Sequence, residues 1–177
     1  MGFWDAFMSG GSSVKTKTYS NGMHYSGEWS NDMPNGSGTM TYPNGSRYEG
    51  SWVNGEMYGK GILIFSDGAR YEGGWKSGER HGYGVMNNDR GHYSGNWVND
   101  NMQGKGTMTF SSGIRYEGEW RDNIPNGFGT EYASDGSVIR QGVWQNGELI
   151  DTNSQPQKSS KPMTDCDLNE ILLTAVI

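Results

Sequence analysis

Apolar and polar positions along this chain alternate. In Arg47-Tyr48-Glu49-Gly50-Ser51-Trp52, the residues Tyr48, Gly50 and Trp52 share one face of an extended segment, and Arg47, Glu49 and Ser51 share the other. The phrase recurs at Tyr25-Gly27-Trp29, Tyr71-Gly73-Trp75, Tyr93-Gly95-Trp97 and Tyr116-Gly118-Trp120, with a worn sixth copy at Arg140-Gly142-Trp144. The steps between phrases are 23, 23, 22, 23 and 24 residues. A fixed period of this size marks a repeat protein, in which each unit buries its apolar face against the next.

One unit reads as a β-hairpin. Thr39-Met40-Thr41-Tyr42 forms a strand, Asn44-Gly45 turns the chain, Arg47 to Trp52 forms the next strand, and Asn54-Gly55 turns it again. Asn-Gly suits such turns because both central residues take positive φ. Equivalent turns are expected at Asn21-Gly22, Asp67-Gly68, Ser112-Gly113 and Asp135-Gly136. Glycines inside strands imply that another group lies close over the backbone. Here that group is expected to be an aromatic ring, over the phrase glycines and over the Gly-x-Gly pairs from Gly36/Gly38 to Gly127/Gly129. A lone two-stranded hairpin is at best marginally stable, so the units must stack.

Two irregularities stand out. One residue is missing between Gly84 and Tyr93, which alters the turn near Asp89-Arg90-Gly91. One is extra between Phe128 and Gly142, which suggests a bulge in Tyr132-Ala133-Ser134-Asp135. Val14 to Tyr19 matches the second half of a unit, so the array starts on a half repeat.

Tyr-Glu-Gly-x-Trp, a turn, then Gly-x-Gly and an aromatic before Asn/Asp-Gly resembles the MORN (membrane occupation and recognition nexus) repeat. The phrases beginning at Tyr48, Tyr71 and Tyr116 match nearly letter for letter, and the resemblance covers about residues 14–150. It implies an elongated, twisted antiparallel sheet with a groove lined by the repeated aromatics. It also implies a scaffold or adapter role: some such proteins bind peptides or helices, some dimerise, and some associate with membranes.

Composition supports this picture. Hydrophobic residues make up 32% and aromatics 12%, with 29 glycines, so the apolar surface comes from Tyr and Trp rather than from an aliphatic core. A net charge of −6 lacks the basic stripe that phosphate contacts need and argues against nucleic acid. There is no long apolar run to cross a membrane and no secretory leader. The single cysteine, Cys166, fits a reducing compartment. The chain is therefore read as cytoplasmic, with a place beside a membrane or cytoskeletal structure as a further option.

Catalytic chemistry finds little footing. His24, His81 and His92 lack metal-ligand spacing, and the Gly-x-Gly pairs lack the helix or lysine of a phosphate loop. No enzyme activity, metal or cofactor is expected. The rows His24, Arg47, Arg70, His92, Arg115 and Ser26, Glu49, Glu72, Ser94, Glu117 lie side by side opposite the aromatics, as a paired and solvated face rather than a lipid site.

The expected architecture is all-β: an elongated single-layer antiparallel sheet of stacked hairpins, with short helical segments at the N- and C-termini. Residues 1–13 form a capping or anchoring segment, 14–150 the array of about six repeats, 151–166 a flexible linker and 167–177 a short amphipathic helix. Tyr48, Trp52, Tyr71, Trp75, Tyr93, Trp97, Tyr116 and Trp120 are first a core. A single-layer sheet is nevertheless expected to leave part of this ladder open as a protein-binding groove. Phe3, Trp4, Phe7 and Met8 are candidates for a cap or membrane contact. Leu168, Ile171, Leu172 and Val176 form one stripe of a docking helix. The functional expectation is a non-enzymatic scaffold that binds a peptide or helix of another protein through the groove or the C-terminal helix. The alternatives are a dimerising, weakly membrane-associated structural protein held by its N-terminal segment, and a regulatory subunit of a separate enzyme.

Overall fold

The computed structural model describes residues 13–150. The expected terminal segments, with Phe3, Trp4, Phe7 and Met8 at one end and Leu168, Ile171, Leu172 and Val176 at the other, lie outside the described residues. Within them the chain forms strands and turns and no helix.

The thirteen strands follow one another in space as they do in sequence, each antiparallel to the next, in one open sheet. They are β1 (Ser13–Thr18), β2 (His24–Ser30), β3 (Met33–Thr41), β4 (Arg47–Val53), β5 (Glu56–Ile64), β6 (Arg70–Lys76) and β7 (Glu79–Asn88). Then come β8 (Gly91–Val98), β9 (Asn101–Phe110), β10 (Arg115–Arg121), β11 (Ile124–Tyr132), β12 (Val138–Gln145) and β13 (Glu148–Leu149). Strands β2, β4, β6, β8 and β10 carry the Tyr-x-Gly-x-Trp phrase and β12 its worn copy, while β3, β5, β7, β9 and β11 carry Gly-x-Gly.

Two kinds of turn alternate. From each phrase strand to its return strand runs a two-residue loop with both residues at positive φ. These include the expected Asn54-Gly55 and also Asn31-Asp32, Ser77-Gly78, Asn99-Asp100, Asp122-Asn123 and Asn146-Gly147. Asn and Asp tolerate this conformation better than most residues. The return to the next phrase is longer and is pinned by the residue before the glycine: the Asn44 side chain accepts from Ser46 N at 2.9 Å, and Asp67 does the same for Ala69. The missing residue shortens one such connection to Asn88–Gly91, where the Asn88 side chain accepts from Arg90 N and Gly91 N. The extra residue falls in β12: Glu131 pairs with Arg140 and Tyr132 with Val138, so Ile139 is the bulged residue. The expected place for it, Tyr132 to Asp135, is a turn of the ordinary kind, closed by Ser137 N on the Asp135 carboxylate at 2.9 Å.

The core is a single chain of rings on one face. Trp29, Tyr25, Trp52, Tyr48, Trp75, Tyr71, Trp97, Tyr93, Trp120, Tyr116 and Trp144 touch in sequence, edge to face, with centroids 5.1–5.5 Å apart. Each ladder tyrosine's hydroxyl donates to the carbonyl three residues on, as Tyr48 does to Ser51 at 3.1 Å. Each ladder tryptophan's Nε1 donates to a backbone carbonyl on a neighbouring strand, as Trp52 does to Gly38 at 3.1 Å. Met40, Met86 and Met108 fill the next row of the core.

The glycines divide into two classes that the sequence did not separate. The phrase glycine and the second glycine of each pair lie under the ring: a Cβ at Gly50 or Gly61 would collide with Tyr48. The first glycine of each pair serves another purpose. Gly36, Gly59, Gly82, Gly104 and Gly127 have φ between 67° and 113° and sit where the return strand carries extra residues, as in the shift between Gly50↔Gly61 and Trp52↔Met57. The bulge bends each hairpin beside its tryptophan.

Gly61→Ala is therefore expected to destabilise the chain by about 2 kcal/mol, as overpacked cores do, read from the urea midpoint. Made together with Tyr48→Leu, the same change is expected to cost much less. An equal cost in both backgrounds would show that the ring does not impose the glycine.

Candidate functional site

The rings expected to line an open groove are closed in. Tyr48, Tyr71 and Tyr116 are 0% exposed, Trp120 2%, Tyr93 2%, Trp52 and Trp97 3%, and Trp75 5%. They pack against one another and against the methionine row, so they offer no open groove of their own. This corrects the expectation that part of the ladder stays exposed.

The open concavity lies on the other face. A trough of about 910 Å³ runs across β1 to β7, and a second of about 570 Å³ runs across β7 to β11, with Tyr83 lining both. Its floor is the backbone of the glycine stripe. Along one wall stand Val14, Glu28, Ser37, Ser51, Lys60, Tyr83, Asn96, Lys105, Glu119 and Phe128; along the other, Ser26, Thr39, Glu49, Ile62, Glu72, Val85, Ser94, Thr107, Glu117 and Thr130. Tyr83 and Phe128 are 57% and 55% exposed. These two were legible in the sequence: the middle residue of Gly-x-Gly points away from the ladder by strand alternation. Reading the ladder as the binding surface hid them.

The charged rows do lie on this face, but they pair along the strand rather than across it. Arg47–Glu49, Arg70–Glu72 and Arg115–Glu117 join at 2.7, 2.6 and 2.7 Å. Each arginine thereby neutralises one trough glutamate. Glu28 accepts from Ser37 N at 3.0 Å. The Arg115 guanidinium also stacks 3.9 Å from the centre of the Tyr132 ring.

Two ion pairs sit instead on the ladder face. Arg80 is 2% exposed and lies 4.5 Å over Trp97. Its Nε donates to Asp100 at 2.7 Å, while its Nη1 has no partner. Arg140 replaces the sixth tyrosine and binds Glu131, itself 0% exposed, at 2.6 Å. Neither faces the trough.

Among the histidines, His24 Nδ1 meets Thr18 Oγ1 at 2.9 Å and His92 Nδ1 meets Asn87 Oδ1 at 2.6 Å. Among the described residues no group of three His, Cys, Asp or Glu could hold a metal, and no helix is long and apolar enough to cross a membrane.

The MORN repeat pattern matches residues 25–47, 48–70, 71–89, 93–115 and 116–138. Among curated protein sequences the chain has no match. Two of the solved structures similar to this chain each cover 73% of it. One, a mutant TCP10 domain of Danio rerio CPAP, is 14% identical with a TM-score of 0.44, and the chain spans 61% of its length. The other, the wild-type TCP10 domain of Danio rerio CPAP in complex with a peptide of Danio rerio STIL, is 13% identical with a TM-score of 0.21 and is covered over 78%.

Burial raises the ladder phenols. Tyr25 is pushed up to about 12, first by desolvation and then by the Glu28 carboxylate. Tyr48, Tyr71, Tyr93 and Tyr116 are pushed higher, again chiefly by desolvation. A phenol whose folded pKa is raised contributes stability that is complete below its unfolded value of about 10 and is lost as pH climbs through the folded value. The chain is expected to lose stability above about pH 10, with unfolding tracking the rise of tyrosinate absorbance. Ladder tyrosines fully ionised in a still-folded sheet would contradict this.

Proposed function

Because the chain belongs to the MORN-repeat family, its matched repeats covering well over half its length, we propose that it is a scaffold holding a segment of another protein along the trough opposite its aromatic ladder. The observation that carries this reading is the trough itself. It runs in two stretches that meet at Tyr83, floored by glycine backbone, with exposed Tyr83 beside the half-buried Ile62 and Val85 in one and exposed Phe128 in the other. Exposed aromatic side chains on a rigid concave support are the usual anchors of a protein interface.

The period of the trough favours a helical ligand. Two strands advance by about 9.6 Å at ~4.8 Å per strand, the rise of roughly six to seven residues of α-helix at ~1.5 Å each. A helix lying along the trough would thus meet an equivalent slot at nearly every second turn, and an apolar stripe would follow Ile62, Tyr83, Val85 and Phe128. Polar residues would meet the serines, threonines and asparagine between them. The ladder contributes from behind: it makes the sheet its own core and leaves the opposite face free.

Peptides selected from a random display library on the full-length chain provide the test. Tyr83→Ala or Phe128→Ala is expected to weaken the selected peptides about tenfold each, the effect of losing ~1.4 kcal/mol at a hot spot. Met33→Ala and Val53→Ala, exposed near hairpin tips outside the trough, are expected to leave binding unchanged. Selected peptides that ignore both aromatic substitutions would overturn the reading.

A further inference from the structure

The two ends of the sheet divide one strand between them. An interior return strand such as β3 or β5 runs nine residues. β13 supplies only the start of one: Leu149 pairs with Trp144 and Glu148 with Gln145, as Pro34 pairs with Trp29 and Met33 with Ser30. β1 supplies the remainder. Lys15 pairs with Gly27 and Lys17 with Tyr25, as Gly38 pairs with Gly50 and Met40 with Tyr48. Among the described residues, β13 pairs with β12 only at Trp144 and Gln145. The stretch of β12 from Val138 to Gly142 is the length of edge that β1 of a second copy would fill. In the register of the interior lanes, Lys17 would then face Arg140, Thr16 would face Gln141 and Lys15 would face Gly142.

The backbone of the two ends is complementary, but the side chains on the ladder face are not. On the return strands Met40, Leu63, Met86 and Met108 stand opposite Tyr25, Tyr48, Tyr71 and Tyr93, Glu131 stands opposite Tyr116, and each phrase glycine from Gly27 to Gly118 faces another glycine. At the ends a lysine occupies each of these slots, and an arginine occupies the tyrosine slot. Lys17 Nζ lies 4.9 Å from the Tyr19 ring centre and 5.7 Å from that of Trp29, on the ladder face. Arg140 lies 4.9 Å over Trp144 on the same face. Like charges directly opposite across two strands destabilise pairing, and inward-pointing charge is a recognised guard of a sheet edge.

We propose that the ends of the array form a latent head-to-tail interface for a second copy of this chain, held closed by Lys15, Lys17 and Arg140. Such an interface is heterologous: each junction exposes a fresh end, so copies joined through it would grow as an open filament. Glu131 pairs with Arg140 and also faces Tyr116, in the slot that methionine or leucine fills on the other return strands, so restoring the ladder requires changing both. This inference does not depend on what occupies the trough.

The test uses the full chain with Cys166→Ser, and Thr16→Cys with Gln141→Cys to report the register. To it are added Lys15→Gly, Lys17→Met, Glu131→Met and Arg140→Tyr, each the residue found at the matching interior position. The expected result is disulfide-linked chains with a sedimenting mass at least about double that of the same protein carrying the native cations, as a heterologous contact requires. A second variant, with only Lys15→Gly and Lys17→Met, leaves the Glu131–Arg140 pair intact and is expected to cross-link to a lesser extent. Folded variants that both remain monomeric would overturn the proposal. So would efficient cross-linking with the native cations in place.

Discussion

A ring must lie where a Cβ would otherwise be. In each of the five hairpins from a tyrosine-bearing phrase strand to its return strand, a tyrosine rests over the glycine of its own strand and the glycine facing it, as Tyr48 does over Gly50 and Gly61. The neighbouring tryptophan donates to a carbonyl at the same place, as Trp75 does to Gly61 at 3.2 Å. The close approach therefore brings both the buried ring area and a satisfied indole N–H. Glycine inside a strand ordinarily weakens it. Here it is what lets the sheet have a core at all, because among the described residues no second layer covers it. From this follow the strict phrase, the nearly constant period and the preference for Met or Leu opposite the tyrosine.

The same constraint decides which face can interact. By consuming its aromatics on one side, the sheet closes that side to all but 0–7% exposure along the ladder. On the other side one row of side chains varies from repeat to repeat. The middle residue of Gly-x-Gly reads Ser37, Lys60, Tyr83, Lys105 and Phe128, while the glycines around it do not change. Variation on a fixed frame suits recognition, since a side chain there can change without disturbing a ring contact.

The sequence made the frame legible because glycine, asparagine and the aromatics each state a local requirement. Alternation gave the strand faces, Asn-Gly gave the turns, and the missing residue before Tyr93 located the short connection at Asn88–Gly91. What it left open depends on neighbours in space. That Gly36 and Gly38 have different duties, one for φ of 97° and one for a ring, follows from a register shift that a single strand does not show. Turns such as Asn31-Asp32 lack the glycine signal and were missed. The extra residue was placed one turn too early because a bulge at Ile139 on β12 and one before Asp135 on β11 lengthen the sequence equally. The open face was misjudged for a related reason: alternation tells which residues share a side, not whether bending will close it.

Departures from the repeat mark where its logic gives way. Arg80 takes the slot filled by Pro34, Met57, Met102 and Pro125 on other return strands, and holds Asp100 while covering Trp97. A guanidinium can replace an apolar side chain there because its face stacks on the indole as a methionine would. Its Nη1 goes without a hydrogen bond, so the exchange costs something that the interior methionines avoid. Arg140 uses the same chemistry at the end of the ladder, stacked on Trp144 and paired to the buried Glu131. The difference is position. Arg80 lies between two strands that already pair, so its charge only adjusts a finished core. Arg140 and the lysines of β1 lie where the next strand would have to arrive, so the same kind of side chain becomes a condition on whether the sheet continues.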